Sequence, residues 1–348
     1  MFSPDWEGEE GEMTDRKQVV LSGIRATGQM HLGNYLGAMR HFVELSRDPS
    51  KRCFFFVADL HTLTTLKDRQ QMAKHLPNIV LDYLAAGIDP RVATLYAQSS
   101  VPEISELFWL LCNFMPVADL LLCPSYKDKA SKNPQIAGLL NYPILMAADI
   151  LAPRGELIPV GHDQIPHVEM ARQIARDFNR EVEEELFVIP EHLGGESITV
   201  KGLHGEGKMG KSEKPDSTIF LTDSYDIVWG KLRTATTDPD RKRRNDPGNP
   251  AVCNVFTLHT LLSPDEKFRE MAEGCRTASI GCIDCKKELM IHLWKLLAEF
   301  QANRQRILQN GGIDYVRNVL IEGGKNARSV IQFTVQRAQE LMGVATYL

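Results

Sequence analysis

Along the first half of the chain, short unbroken runs of β-branched and aromatic residues alternate with longer stretches in which apolar residues recur every three or four positions. Val19-Val20-Leu21 is the first such run. Cys53-Phe54-Phe55-Phe56-Val57-Ala58, closed by Asp59, and Ala93-Thr94-Leu95-Tyr96-Ala97 are the next two. Fully apolar runs of this length are strands buried on both faces, the pattern of a parallel sheet covered by helices on either side. Helical periodicity fills the intervals, from about Gly33 to Ser46, from Arg69 to Ala86 and from Glu103 to Leu122. Leu157-Ile158 predicts a further strand, which ends at PVGHDQ (159–164) where another helix begins. Alternation at these lengths implies βαβ units with right-handed crossovers, hence an α/β, doubly wound parallel sheet. Ligands of such sheets bind beyond the carboxyl ends of the strands. Asp59-Leu60-His61 and Gln98-Ser99 lie at those ends and are pocket candidates by position. From about Ser224 the pattern turns helical, apart from a Pro/Gly/charge loop at Thr237–Pro250. Leu289, Leu293, Leu296, Leu297 and Phe300 form one apolar stripe there, as in the core of a helical domain.

Length adds a domain count. At 348 residues the chain is long enough for two domains at roughly 150 residues each. The expected division is an acidic, breaker-rich disordered leader at 1–15, an α/β domain at 16–220 and a helical domain at 221–348, whose last helix can pack back on the first. No stretch approaches the ~18 uninterrupted apolar residues of a membrane span, and the N-terminus has no signal pattern. A cytoplasmic protein without membrane contact is the reading. Its seven cysteines are then thiols, ligands or catalytic groups rather than disulfides. The net charge of −5 argues against a general nucleic-acid coat, so any such contact is local and basic, as at Arg241-Lys242-Arg243-Arg244. A solvated linker accounts for that run equally well.

Candidate chemistry begins in VVLSGIRATGQMHLGNYLGAM, residues 19–39. A strand that turns through glycines into a helix N-terminus can hold a phosphate, because unpaired N–H groups and the positive dipole end face the anion. Gly33 lets a nucleotide lie against the backbone, and His31 and Asn34, three apart, fall on one side of the first turn. A plain capped helix with a surface histidine is the alternative. In NYPILMAADIL, Pro143 suits a first helical position with Tyr142 as its cap. Tyr142, Met146 and Asp149 then share one face at i, i+4 and i+7. An acid on so apolar a face is either a buried carboxylate paired with a nearby cation or a specificity group awaiting a donor. Gly205-Glu-Gly-Lys-Met-Gly-Lys-Ser212 fits the G-x-x-x-x-G-K-S/T pattern of a P-loop. The pattern requires a helix straight after Lys-Ser, however, and Thr218-Ile219-Phe220-Leu221 looks extended. The same residues also suit a mobile loop whose Lys208 and Lys211 neutralise a polyphosphate held elsewhere.

HLGN at 31–34 followed by KMGKS at 208–212, about 175 residues on, resembles the paired HIGH and KMSKS motifs of class I aminoacyl-tRNA synthetases. NYPILMAADIL and PVGHDQ narrow the resemblance to the tryptophanyl-tRNA synthetases rather than their tyrosyl relatives. It covers the chain from about residue 18 to the C-terminus. The resemblance implies a Rossmann-like catalytic domain and a helical anticodon- and tRNA-binding domain. It implies ATP with Mg²⁺ as cofactors, L-tryptophan and tRNA(Trp) as partners, and a homodimer. His31, Asn34 and Thr27 would hold ATP phosphates, with Gly33 against the adenosine and Arg25, Met209 and Ser212 beside them. Lys208 and Lys211 would grip the leaving pyrophosphate, and Lys129 would reach the phosphates from the loop expected at Ser125–Pro134. Tyr142, Met146 and Asp149 would line the indole pocket, with Asp149 accepting the indole N–H. His61 and Gln164 would sit by the amino-acid end, with Asp163 next to them. Arg25 stands where many members carry Gln, and Gly210 replaces the Ser of KMSKS.

Cys253, Cys275, Cys282 and Cys285 are spaced C-x21-C-x6-C-x2-C, which suits a four-cysteine metal site. A subset of the family carries a four-iron, four-sulfur (4Fe–4S) cluster on nearly this spacing; zinc and unligated thiols are the alternatives. Cys53, Cys112 and Cys123 lie in apolar runs, as buried core residues do. The chain has no convincing Ser/His/Asp or Cys/His set, as expected where positioning and cations carry phosphoryl chemistry. Three functions compete: ATP-dependent charging of tRNA with tryptophan or, in a tyrosyl-type variant, tyrosine; a P-loop NTPase; and a non-catalytic protein that keeps the synthetase fold for partner binding.

Overall fold

Strand β1 (Gln18–Ile24) leads through a turn into the short helix α1 (Leu32–Asn34), a π-helical stretch (Tyr35–Met39) and α2 (Arg40–Ser46). Strand β2 (Lys51–Val57), α3 (Asp59–Thr62), α4 (Arg69–Ala86) and β3 (Ala93–Ala97) follow. Next come α5 (Glu103–Leu111), α6 (Val117–Leu122), α7 (Pro124–Ala130) and α8 (Ala137–Leu151), then β4 (Leu157–Ile158), α9 (Ile165–Glu181) and β5 (Glu191–His192). The rest is helical: α10 (Tyr225–Thr234), α11 (Asn254–Leu262), α12 (Asp265–Arg276), α13 (Cys282–Gln309) and α14 (Gly312–Leu341). This computed structural model describes residues 16–130, 134–193, 198–205, 207–210 and 215–344. The expected leader at 1–15 lies outside them.

The five strands are all parallel in the order β3-β2-β1-β4-β5. The order reverses between β1 and β4, which opens a crevice beyond their carboxyl ends. This is the Rossmann-like α/β fold, joined to a helical C-terminal region. Period-two alternation on β2 separates the core into two layers. Cys53, Phe55 and Val57 face α2 and α4, whereas Phe54 and Phe56 face α5, α8 and α9. The first layer continues without a break into the C-terminal helices through Leu289, Leu293, Leu297 and Phe300. Cys53 and Cys123 are buried, and Cys112 is partly so.

Helix α14 returns to the sheet and lies on β3 so closely that a Cβ on Gly323 would stand 1.8 Å from the Leu95 carbonyl oxygen. Only glycine admits that approach. The long helix expected over 103–122 is broken by a 3₁₀ turn at Cys112–Phe114 and by Pro116, whose ring clashes with a preceding helical turn. Conversely, the lysine-rich stretch expected to be a loop is helical over Pro124–Ala130, with proline at the first position where its missing N–H is harmless. Helix α8 starts at Ala137 rather than at Pro143, so Tyr142 lies inside it and is not its cap. Leu139 and Tyr142 pack there with Cys123 and Tyr126, which offsets the hydrogen bond that Pro143 removes.

Candidate active site

The turn after β1 ends in a reciprocal cap. The Asn34 N–H donates to His31 Nδ1 and the His31 N–H donates to Asn34 Oδ1, both at 3.2 Å. With Nδ1 accepting, the neutral ring carries its proton on Nε2. His31 is buried, so the surface-histidine alternative does not hold. A Cβ on Gly33 would meet His31 Nδ1 at 3.0 Å and Met209 Cβ at 3.5 Å, which puts the two signature segments in direct contact. Phe220 forms an antiparallel bridge with His31, and the Leu32 N–H donates to the Ile219 carbonyl at 2.8 Å. Thr27 lies in the turn, its N–H donating to the Arg25 carbonyl at 2.8 Å.

Lys208 stands on a hairpin closed by its bridge to Lys201 and by the Met209 N–H donating to the Val200 carbonyl at 2.8 Å. Met209 is buried in the core beneath it. Lys208 Nζ lies 3.6 Å from Asp163 Oδ1, both side chains largely exposed, so this pair is weak and readily exchanged. Lys211 and Ser212 lie outside the described residues, as does the Lys129 side chain. The segment resumes as a single 3₁₀ turn at Pro215–Ser217 and then extends to pair with the HLGN turn. Among the described residues no α-helix opens between the lysine stretch and Phe220, in line with the sequence argument against the P-loop alternative.

A cavity of about 370 Å³ opens at the crevice beside β1 and β4. Phe56, Met146, Ile150, Ile158 and Val160 supply apolar wall, and Tyr142, Asp149, His61, Asp163 and Gln164 supply the polar groups. Asp149 is fully buried on α8. His61 Nε2 donates to its Oδ2 at 2.8 Å and Gln98 Nε2 donates to Oδ1 at 2.8 Å. Burial pushes the Asp149 carboxyl above the usual carboxylate range, against the pull of these two hydrogen bonds.

Across the cavity, a chain of donors runs to Asp163. Gln164 Nε2 donates to Asp163 Oδ2 at 2.7 Å, so its Oε1 faces His167 Nδ1 at 3.0 Å. That orientation requires the His167 proton on Nδ1 and leaves Nε2 to accept the Tyr142 hydroxyl at 2.7 Å. The Tyr142 oxygen can therefore accept a cationic N–H from a ligand. Sequence reasoning missed His167; its position three residues after Gln164, on the same helix face, was the available signal. The Arg25 side chain also lines the cavity, bonded to Thr65 and, at 3.5 Å, to Thr64. Its Nε is buried with no hydrogen-bond partner, and burial lowers its pKa. Such a group favours an anion.

Cys253, Cys275, Cys282 and Cys285 line one small cavity of about 10 Å³ between α11, α12 and α13. Burial, then the neighbouring thiols, push Cys285 up to about 12. Arg241 Nη1 lies 3.7 Å from Cys275 Sγ, and its Nη2 donates to the carbonyls of Arg244 and Ile280. Arg241 is thus turned inward, and only Lys242, Arg243 and Arg244 of the basic run are exposed. The donor set suits a metal group, but among the described residues no three such groups are arranged to hold a metal ion. The cluster expectation therefore finds no formed site.

Class I aminoacyl-tRNA synthetases pair a nucleotide-binding turn with a lysine loop across a Rossmann-like sheet in this way. Residues 13–298 match the family described as tRNA synthetases class I (W and Y), and the chain belongs to that family. It is similar to the tryptophan–tRNA ligase of Deinococcus radiodurans, 39% identical over 328 residues that cover 93% of this chain and 98% of that protein. The ligase of Thermotoga maritima is 38% identical over 331 residues, covering 93% and 99%. The tryptophanyl-tRNA synthetase of Campylobacter jejuni complexed with ADP and tryptophan has a TM-score of 0.82 at 31% identity, covering 94% of this chain and all of that one.

Proposed function

We propose that the chain activates L-tryptophan with ATP to tryptophanyl-adenylate and transfers the tryptophanyl group to tRNA(Trp). One observation carries the reading: Asp163 lines the apolar cavity and also touches Lys208, so the amino-acid pocket and the lysine hairpin share one cleft. A tryptophan carboxylate oxygen attacks the α-phosphorus of ATP, the bond to the bridging oxygen breaks, and pyrophosphate departs with that electron pair; Mg²⁺ bound with ATP would supply charge neutralisation. Lys208, with Lys211 and Lys129 from their own segments, meets the charge that develops on the leaving group. His31 Nε2–H, Thr27 and Asn34 hold the phosphates, with the adenosine against Gly33. Met209 and Ser212 flank them. Arg25 offers its unbonded Nε to an anionic group of either substrate. Asp149, positioned by His61 and Gln98, accepts the indole N–H over Met146, and Tyr142 and Gln164 receive the α-ammonium end. A phenyl ring cannot donate to Asp149, so phenylalanine adds no third donor to the His61 and Gln98 bonds and forfeits the hydrogen bond that tryptophan makes, which supplies specificity.

Tryptophan-dependent ATP–pyrophosphate exchange, weakened at limiting tryptophan in Asp149→Asn, tests the assignment. Equal exchange with tyrosine overturns it, and ATP hydrolysis that needs no amino acid points to an NTPase instead. Tryptophan activation without tRNA charging removes the second step. The exposed Lys242–Arg244 run and the helical region are the proposed tRNA contact.

Exposed Trp109, Val117, Leu121 and Leu122 on α5 and α6 support a homodimer, since apolar patches of this kind mark interfaces. For the four cysteines we propose a 4Fe–4S cluster. The spacing of the four cysteines and their lining of one cavity support it, with zinc and unligated thiols as the alternatives. Absorbance near 400 nm with acid-labile iron supports the cluster, and stoichiometric colourless zinc replaces it. No helix among the described residues is long and apolar enough to cross a membrane, and we place the reaction in the cytoplasm.

A further inference from the structure

The residue after Cys253 and the residue after Cys285 both turn away from the cysteine cavity and grip backbone. Asn254 is the first residue of α11 and is buried. Its Nδ2 donates to the carbonyls of Gly202, at 2.8 Å, and Leu203, at 3.2 Å. Lys286 is buried on α13, and its Nζ donates to the carbonyls of Arg233, at 2.8 Å, and Ala235, at 2.7 Å. A cation at the C-terminal end of α10 also meets the negative end of that helix dipole.

The two grips meet at one peptide. The Thr236 N–H, next to the Ala235 carbonyl that Lys286 holds, donates to the Leu203 carbonyl at 2.8 Å. That carbonyl is the one Asn254 also engages. Leu203 begins the turn of the hairpin whose returning arm carries Lys208, with the Gly202 N–H donating to Gly207 at 3.3 Å. The turn itself holds Gly205 and Gly207 at positive φ, so its own chain supplies little stiffness. The stiffness comes from the clamp at its base. Helix α10 makes a second tie through Lys231 Nζ, which donates to the Thr218 carbonyl at 2.8 Å, while Thr218 Oγ1 donates to the Gly210 carbonyl at 2.8 Å.

We infer that Asn254 and Lys286 are positioning residues that anchor the Lys208 hairpin to the four-cysteine cavity, so that the packing of that cavity sets where the lysine loop stands relative to ATP. The inference rests on the reading of Lys208 as a phosphate ligand. It assigns Asn254 to the ATP side of the reaction alone, because Asn254 does not line the tryptophan cavity.

The test uses the full chain as isolated. Asn254→Ala is expected to raise the ATP KM in tryptophan-dependent exchange about tenfold and to leave the tryptophan KM within twofold. Amide hydrogen exchange at Gly202 and Met209 is expected to quicken at least tenfold, with the β1 amides unchanged. A variant that merely lowers the folded fraction reduces kcat alone and moves neither KM. Should Asn254→Ala not fold, Asn254→Ser carries the same readouts. Unchanged ATP KM and unchanged amide protection in a folded variant overturn the inference. A wild-type chain with no tryptophan-dependent exchange defeats the functional reading instead, and amide protection still decides whether the clamp exists.

Discussion

His61 donates through Nε2 to Asp149 at 2.8 Å, joining the helix after β2 to the buried acid of α8 in the cavity beside β1 and β4. Gln98, at the end of β3, donates to the same carboxylate. This buried acid is therefore held by groups from the carboxyl ends of two strands rather than by its own helix.

Burial raises the Asp149 carboxyl above its ordinary range, so the folded protein binds this proton more tightly than the unfolded chain does. Ionising it costs stability as pH rises through the folded value, and protonating it removes the charged acceptor as pH falls through that value. The tryptophan KM is expected to rise on acidification with an inflection above about 4, the ordinary carboxylate value. Asp149→Asn should remove the inflection and raise the KM by about 10- to 100-fold, the loss of one hydrogen bond to a charged group. Steady-state exchange across pH checks both.

His167 fixes the donor direction of Tyr142 and Gln164. His167→Ala removes the hydrogen bond that each of the two makes to the imidazole and frees both to reorient. It should raise the tryptophan KM about tenfold, or ~1.4 kcal/mol, with the ATP KM unchanged. Equal shifts in both constants count against a role confined to the amino-acid pocket.

Gly323→Ala drives a methyl into the Leu95 carbonyl, and helix and strand must part. A loss of ~2–4 kcal/mol in urea unfolding is expected, at the severe end for a single substitution. Gly230→Ala on α10, where a Cβ meets nothing within 4 Å, is the control and should stabilise by ~0.4–1 kcal/mol.

Trp109 on α5 is 70% exposed and Leu122 on α6 63%. Sedimentation equilibrium should give a dimer, and Trp109→Glu should shift it toward monomer. A wild-type monomer at micromolar concentration removes the proposed interface.

Helix α4 and strand β3 stand where periodicity predicted them, because a long helical stretch and a fully apolar run leave one choice. The pairing of HLGN with KMGK was legible as a motif, and Gly33 against Met209 is its physical content. What stayed hidden depended on contacts between distant segments. The two-residue strand β5 is too short for any period, and the start of α8 was set by Leu139 packing on Tyr126 and Cys123. The expectation for the four cysteines came from spacing, and spacing carries no information on how closely thiols converge. His167 reads on α9 as one more core-facing residue, since nothing local reveals that Tyr142 will lie opposite.

The Gly323–Leu95 contact also dictates an order of assembly. Leu95 leaves the ribosome more than two hundred residues before Gly323, so the flank of β3 that α14 covers stays bare through most of translation. So distant a closure is slow to find, and a bare outer strand invites mispairing in the interval. The nascent protein is therefore most exposed to aggregation just before its last long helix emerges, and that helix acts as the latch that ends the risk.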